Sequence, residues 1–182
     1  MQKKAFSLIE IIVVLGIILL LFLLSVPKIS FINKFILQNE ADKVHTVLNY
    51  LKEKAITSNQ EQDLIFDLKE NGYSYKTFNS QDNTSGNNIF VKFPEKVKIG
   101  FLPGSKGPPS DPTKPINNPI TFEKINENQY KVHFFVDGKI KPGTLYIVDK
   151  DLKYMYCLTC PISQVSYIRK YQYDNGVWVC LN

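Results

Sequence analysis

The fold of this chain is decided near its beginning, by residues 6–26, FSLIEIIVVLGIILLLFLLSV. Only the polar side chains of Ser7, Glu10 and Ser25 interrupt an apolar run rich in Ile, Leu and Val. A helix that rises about 1.5 Å per residue crosses a hydrocarbon core of about 30 Å in roughly 20 residues. The run therefore predicts a transmembrane helix over residues 6–26.

The charges and cleavage signals around this run predict its orientation. Lys3 and Lys4 precede it, which favours a cytoplasmic N-terminus and an exported C-terminus, although Lys28 and Lys34 follow on the far side. Residues 23–27, LLSVP, lack the small-x-small pattern at which an ordinary signal peptide is cut. We therefore expect a single-pass anchor that is retained.

An amphipathic helix is predicted to continue directly from the anchor, over residues 27–58. Its apolar positions recur at spacings of three and four residues, and they are Val44, Val47, Leu48, Leu51 and Ala55. Pro27 lacks a backbone donor and is expected to bend the combined helix near its middle. The whole helix would have about 50 residues, which is unusual for a globular protein.

Glu10 is a carboxylate inside the apolar run. Such a group costs roughly 2.5–3.5 kcal/mol on insertion scales when it lies at the centre of a spanning helix. One interpretation is that Glu10, close to the start of the run, reaches the aqueous interface with its side chain. The other is that a cationic partner neutralises it.

The stretch KKAFSLIE, residues 3–10, resembles the leader and cleavage site of type IV prepilins and of type II secretion pseudopilins. The resemblance implies a leader over residues 1–5, cleavage between Ala5 and Phe6, and methylation of the new amine of Phe6. It also implies that Glu10 pairs with the Phe6 ammonium of a neighbouring subunit and that Pro27 matches a proline common in pilins. Ala5 departs from the family, which usually carries Gly before the cut.

Membership of this family implies partners and a location. The partners would be other pilins or pseudopilins through helix bundling, the prepilin peptidase, and an inner-membrane assembly platform. The chain would lie in the bacterial inner membrane, with its C-terminal domain in the periplasm, and would enter a periplasmic or surface filament. No cofactor is implied.

Residues 59–182 are predicted to form a periplasmic β-rich domain. Turn signals separate the strand patterns, which are 64–68, 73–78, 89–93, 97–101, 130–136, 144–148, 166–173 and 177–181. Hairpins are expected at residues 70–72, at 137–138 leading into 139–140, and at 175–176. Residues 102–119 hold six of the ten prolines and must form an extended loop, either a subunit contact or a mobile insertion.

The order of the later motifs resembles one branch of the family, the H-type minor pseudopilins with the FimT and FimU minor pilins (the GspH/FimT group). The motifs are residues 120–122, ITF, the turn at 136–138, residues 142–146, PGTLY, and the late Trp178. The usual final Gly-Arg-Val stretch is absent, and residues 166–171 stand in its place. This resemblance implies an α+β, type IV pilin-like fold, with a long N-terminal helix packed on a C-terminal antiparallel β-rich domain.

The three cysteines, Cys157, Cys160 and Cys180, are predicted to form a structural disulfide. A bond to Cys180 would close a loop of about 20 residues and contribute roughly 3 kcal/mol in the chain-entropy model. We favour Cys160–Cys180, and a Cys157–Cys160 bridge is the rival. A redox motif would normally open a helix, and a zinc site would need His45 or His133 as its fourth ligand.

No motif in the sequence indicates an enzyme, because there is no phosphate loop, no Ser/His/Asp arrangement and no pair of acids in a cleft setting. His45 and His133 have no obvious partners, and His45 is expected to face solvent or a neighbouring subunit. Residues 82–88, DNTSGNN, could hold calcium but lack clustered carboxylates, so no metal site is predicted.

The leading hypothesis is a minor structural subunit at the tip of a type II secretion pseudopilus or a type IV pilus. One alternative is a competence-type minor pilin that binds DNA through Arg169, Lys170 and the lysines of residues 92–98. The excess of 22 basic over 17 acidic residues is spread along the chain and does not indicate nucleic acid by itself. Another alternative is an uncleaved anchored protein without a filament role.

Overall fold

The computed structural model describes residues 7–25, 29–77, 87–107, 111–161 and 167–181. The chain divides into two compact units between Ile32 and Asn33. The first contains helix α1, Leu8–Ser25. Helix α2, Ile29–Ser58, lies in the second unit from Asn33 onward. From Asn33 onward, α2 belongs to the second unit because it supplies part of that unit's core.

Helix α2 has the amphipathic pattern that the sequence predicts. Its buried apolar side chains are Leu37, Ala41, Val44, Leu48, Leu51 and Ala55, all 0% exposed. After Ser58, Asn59 takes a positive φ of 52°, and the amides of Asn59 and Gln60 bond to the carbonyls of Ile56 and Ala55. This is the Schellman motif that ends helices. The predicted end near residue 57 is confirmed, whereas the predicted bend at Pro27 lies outside the described residues.

The described residues form two five-stranded antiparallel sheets. The strands are β1 Gln62–Asp67, β2 Gly72–Lys76, β3 Asn88–Lys92, β4 Val97–Ile99, β5 Glu123–Lys124, β6 Gln129–Phe134, β7 Gly143–Asp149, β8 Met155–Cys160, β9 Arg169–Asp174 and β10 Val177–Cys180. The first sheet has the order β3-β2-β1-β6-β5, and the second has the order β10-β9-β8-β7-β4. The predicted α+β class, a long helix packed on antiparallel β-structure, is confirmed.

All three predicted hairpins form. β1 and β2 pair across the turn at Asn71, and β9 and β10 pair across Asn175 and Gly176, whose φ values of 48° and 84° suit a type I′ turn. The hairpin predicted at residues 137–138 is short: Phe134 forms an antiparallel bridge with Ile140, and the amides of Phe135 and Lys141 donate to the carbonyls of Lys139 and His133. β6 pairs with β1 and β5, while the next strand, β7, belongs to the second sheet. The sequence patterns had not predicted β5 or β8.

The main core lies between α2 and one face of each sheet. The first sheet contributes Leu64, Phe66, Val132 and Phe134, and the second contributes Leu145, Ile147, Tyr156 and Leu158. All eight are fully buried. Because burial of a large apolar side chain is worth about 1.5–3 kcal/mol, this shared core fixes α2 on both sheets.

The opposite face of the second sheet is covered by the proline-rich segment. Ile116 packs with Tyr146, Val148, Met155 and Cys157 in a smaller cluster. The indole Nε1–H of Trp178 donates to the carbonyl of Lys106 at 2.9 Å. The described parts of residues 102–119 are therefore a packed cover, and the interpretation as a merely mobile insertion is wrong for them.

Candidate functional site

Glu10 lies in the first turn of helix α1. The Ser7 carbonyl accepts hydrogen bonds from the amides of Glu10 at 3.0 Å and Ile11 at 3.3 Å. Ser7 and Glu10 thus have the N-cap and N3 spacing of a capping box, and a carboxylate is favoured near the positive end of a helix dipole. This capping-box spacing was missed at the sequence level, although the pattern Ser-x-x-Glu can be read from residues 7–10.

The surface of α1 is apolar and exposed. Leu8, Ile12 and Leu19 are 74%, 59% and 64% exposed. Glu10, Ile11, Val14 and Leu15 line one open hollow of about 320 Å³. Glu10 is itself exposed, and within the described part of the chain its carboxylate has no ion-pair partner. The arrangement can accept a cationic group beside an apolar helix.

Several predicted site residues fall outside the described ranges. These are Ala5 and Phe6 of the cleavage site and Pro27 of the bend. Cleavage, methylation of Phe6 and the Glu10–Phe6 charge pair therefore stay predictions. Within the ranges that are described, no helix combines the length and the apolar character needed to cross a membrane.

The structure corrects the disulfide prediction, because all three cysteines are free. Cys157 lies opposite Tyr171, and Tyr171 lies opposite Cys180, so strand β9 separates the two cysteines. Two strand spacings of about 4.8 Å put their Cα atoms roughly 10 Å apart, beyond the roughly 7 Å limit for a disulfide.

Cys160 cannot join either partner, because it points to the other face of the sheet. It lies three residues after Cys157 on β8, and side chains alternate along a strand. Cys160 packs in the core shared with α2, whereas Cys157 packs under the proline-rich cover. Burial raises the pKa of Cys160 to about 12 and raises that of Cys157 well above its ordinary value. Neither thiol is therefore an activated nucleophile.

The same divergence of sulfur atoms argues against the redox and zinc interpretations. Moreover, nowhere in the described ranges are three His, Cys, Asp or Glu side chains placed to share a metal ion. The oxygen-rich stretch considered for calcium, residues 82–88, lies mostly outside those ranges.

Both histidines have partners that the sequence did not indicate. His45 Nε2 lies 3.2 Å from the carbonyl oxygen of Ile168, so His45 faces its own β-structure. His133 Nδ1 lies 2.6 Å from Asp63 Oδ1, and its Nε2 lies 3.4 Å from Glu61 Oε2. The two carboxylates occupy different ring nitrogens and cannot share a metal with His133. Only the β1–β6 register, in which Asp63 is opposite His133, brings these groups together.

The residues considered for DNA contact separate into two places. Lys170 forms an ion pair with Asp42 of α2, and the Arg169 guanidinium lies 4.4 Å from the ring centroid of Tyr167. Elsewhere, an open groove of about 620 Å³ is lined by four lysines and two glutamates, which are Lys69, Lys92, Lys98, Lys150, Glu70 and Glu95. The groove is the basic surface that remains for an anionic partner.

Comparisons with known proteins give limited similarity. No protein-family model matches the chain, and no curated protein matches it. Among solved structures, the chain is similar to two of the minor pseudopilin EpsH from the type 2 secretion system of Vibrio cholerae. One has a TM-score of 0.45 at 15% identity, covering 80% of this chain and 95% of that chain. The other has a TM-score of 0.44 at 16% identity, covering 81% and 97%.

Proposed function

We propose that this chain is a structural subunit of a type IV pilin-like filament that assembles through its N-terminal helix. The observation that carries the proposal is the position of Glu10, an exposed carboxylate on the apolar surface of α1. The leader-like residues 3–10 support it, because cleavage before Phe6 would create an ammonium group for that carboxylate. Residues 6–26 would anchor the subunit in the inner membrane before assembly.

The charge pair gives cleavage a physical consequence. Within a dry bundle of helices, two buried opposite charges offset each other, and removal of one leaves the other at a cost of about 3–5 kcal/mol. Each amine would select the carboxylate of one neighbour and so fix the axial position of the subunits. Methylation of the amine keeps its charge. In this scheme the peptidase controls when assembly starts.

Within this class, we assign the chain to the minor subunits, at the tip of a type II secretion pseudopilus or of a related pilus. The support is the order of motifs that it shares with the GspH/FimT group, from residues 120–122 to Trp178. A tip subunit would have its globular domain free of a subunit above it.

Glu10→Gln tests the charge pair, with Glu53→Gln as the matched control. Glu53 is an exposed carboxylate on α2. Both proteins are co-expressed with a prepilin peptidase and the sibling subunits of the host, and filaments are sheared and sedimented. We expect Glu10→Gln to lose most incorporation, by at least tenfold, and Glu53→Gln to incorporate normally.

A purely local role for Glu10 predicts a different result. A carboxylate near the N-terminus of a helix stabilises that helix by about 0.3–1 kcal/mol through the helix dipole, whereas Gln can keep the capping hydrogen bond. A purely local role therefore predicts at most a small loss of helix content in the detergent-solubilised Glu10→Gln monomer and normal incorporation. Unchanged helicity with lost incorporation supports the subunit contact. Normal incorporation of Glu10→Gln would refute it.

Processing is tested by intact mass. With an active peptidase, the membrane-extracted protein should lose residues 1–5 and gain one methyl group. An Ala5→Gly variant restores the usual family residue and should be cut at least as fast, because the peptidase then meets no side chain before the cut. A full-length mass beside a processed sibling subunit would favour the uncleaved anchored protein.

A DNA-uptake subunit is the second candidate, and the lysine-lined groove favours it. Lys92 and Lys98 both line that groove, with Lys69 and Lys150. A Lys92→Gln/Lys98→Gln double variant should weaken DNA binding and reduce the salt dependence, whereas Lys139→Gln, outside the groove, should not. No gel shift for the unmodified chain at low salt would exclude this function.

A further inference from the structure

Two buried oxygen atoms in the globular unit lack a protein donor. Among the described residues these are Asn33 Oδ1 and Asp149 Oδ2, and no other buried side-chain oxygen or nitrogen is in this position. Asn33 is 5% exposed and Asp149 is 0% exposed. A buried polar group without a partner destabilises the folded state, so each atom requires an explanation.

Both atoms belong to one corner of the fold. The Nδ2 of Asn33 donates to Asp151 Oδ2 at 2.9 Å, which ties α2 to the turn between β7 and β8. Asp149 is two residues before Asp151 in the same turn. Its Oδ1 already accepts the amides of Lys153 at 2.8 Å and Tyr154 at 2.6 Å. Its Oδ2 accepts no hydrogen bond within the described residues.

Among the described residues, no basic side chain forms an ion pair in this corner. In the described part of the chain neither Asp149 nor Asp151 forms an ion pair, although Lys150 and Lys153 are their sequence neighbours. The amine of Lys34, which follows Asn33, lies instead over the ring of Tyr154, 5.7 Å from its centroid. The Asn33–Asp151 hydrogen bond and the short separation of Asp149 and Asp151 in sequence put two carboxylates and an amide oxygen in one corner, and no ion pair of Asp149 or Asp151 is found among the described residues.

We propose that this corner binds a hard divalent cation, Ca²⁺ in preference to Mg²⁺, through Asn33 Oδ1, Asp149 Oδ2 and the Asp151 carboxylate. Carboxylate and amide oxygens are the ligands that Ca²⁺ takes, and Ca²⁺ accepts six to eight oxygens in irregular geometry, whereas Mg²⁺ requires a near-ideal octahedron. Asp151 is exposed and gives the ion an entry from solvent. Three side-chain ligands, completed by water, place the affinity at roughly 10⁻⁴–10⁻³ M, the range of extracellular modules.

The bound ion would fasten the start of α2 in the globular unit to the turn after β7. This inference does not rest on the proposed function, since every ligand lies in the unit that begins at Asn33. A filament subunit and an unrelated anchored protein would bind the ion equally.

The test is thermal unfolding of the purified full-length chain in detergent, first in EDTA and then with CaCl₂ or MgCl₂ in about tenfold excess over the expected dissociation constant. We expect Ca²⁺ to raise Tm by about 3–5 °C and Mg²⁺ to raise it less. Terbium(III), a Ca²⁺ analogue, should give luminescence sensitised by Tyr154, and Ca²⁺ should displace it. The absence of both signals would refute the proposal.

The Asp149→Asn variant tests whether Asp149 Oδ2 binds a metal ion, a bridging water or a proton. The variant can keep the Oδ1 acceptor for the turn and place an amide donor where Oδ2 stands. We expect a Tm in EDTA above that of the unmodified chain and no response to Ca²⁺. A Ca²⁺ response that survives this substitution would overturn the ligand assignment, and an unmodified chain that ignores Ca²⁺ would show that the corner holds only water or a proton.

Asn33→Asp gives a second variant if Asp149→Asn fails to fold. It adds a third carboxylate and removes the amide donor to Asp151, so we expect a lower Tm in EDTA and at least severalfold tighter Ca²⁺ binding. Asp174→Asn, in the exposed turn between β9 and β10, is the control and should keep the full Ca²⁺ response. Unchanged affinity in Asn33→Asp would contradict the proposal.

Discussion

Helix α1 and the globular unit differ in the solvent exposure of their apolar side chains. The described residues of α1 expose them, and Leu8, Ile9 and Leu19 are each more than 60% exposed. The globular unit covers both faces of its second sheet, one with α2 and the other with residues 102–119. Exposed apolar patches above a few hundred Å² mark contact surfaces.

The difference concerns which groups bury the apolar side chains of α2 and of α1. The stripe of α2 is matched by strands of its own chain, so its burial contributes to the stability of the monomer. Burial of the exposed side chains of α1 by another molecule would contribute roughly 25 cal/mol per Å² of apolar area. Folding and assembly should therefore respond to different substitutions.

The largest contrast is expected between Leu48→Ala and Leu15→Ala. Leu48 is fully buried in α2, and Leu15 is 54% exposed in α1. Removing the Leu48 side chain leaves a cavity and should lower the free energy of unfolding by about 2–5 kcal/mol. Leu15→Ala should leave it unchanged. Urea unfolding in detergent, followed by the fluorescence of Trp178, measures both free energies of unfolding. Equal losses would contradict the claim that burial of α2, and not of α1, stabilises the monomer.

A smaller effect is expected from Gly107→Ala, which disturbs the cover of the second sheet. A Cβ at Gly107 would overlap the indole of Trp178, and Gly107 has a φ of 137°, a region that favours glycine. We expect a loss of about 1–3 kcal/mol and a shift in Trp178 emission. Gly104→Ala also has a positive φ but meets no atom within 4 Å. An unchanged emission in Gly107→Ala would contradict the packed cover.

Asp42→Asn should weaken the attachment of α2 to β9 by a smaller amount. Lys170 is only 13% exposed, while its partner Asp42 is 45% exposed, so the ion pair is partly screened. We expect a loss of up to about 1 kcal/mol, which should shrink as NaCl is raised. Glu53→Gln on the exposed face of α2 should cost nothing. A loss that is independent of salt would show that the ion pair is not its cause.

The three thiols should differ in their reactivity because Cys180 is exposed whereas Cys157 and Cys160 are buried. At pH 8, iodoacetamide should modify exposed Cys180 and spare Cys157 and Cys160 until urea unfolds the chain. Because burial raises the pKa of Cys160 to about 12, its thiolate is absent from the folded state at this pH. Its raised pKa stabilises the folded state below about pH 9, and this contribution is lost as pH rises toward 12. Peptide mass mapping identifies the modified cysteines. If Cys180 were not modified, that result would indicate that Cys180 forms a disulfide bond.

The sequence alone determined the features that depend on neighbouring residues. The apolar run of residues 6–26 needs no partner to be recognised, and the spacing of Val44, Leu48, Leu51 and Ala55 predicted the buried face of α2 because helical periodicity is local. The turns at Asn71 and at residues 175–176 followed from the positive φ that their residue types tolerate.

Only the tertiary structure decided which strands pair and which side chains meet. Tertiary packing placed Cys157 and Cys160 in separate apolar clusters on the two faces of β8. The β1–β6 register brought Asp63 to His133, and the contact of the β7–β8 turn with α2 joined Asn33 with Asp151. The contacts of His133 and of Asn33 link residues that are 70 and 118 positions apart. The placement of the cysteines contradicts the disulfide that their spacing in the sequence had suggested. Burial over such distances is set by the packing of the whole core, and no local pattern in the sequence encodes it.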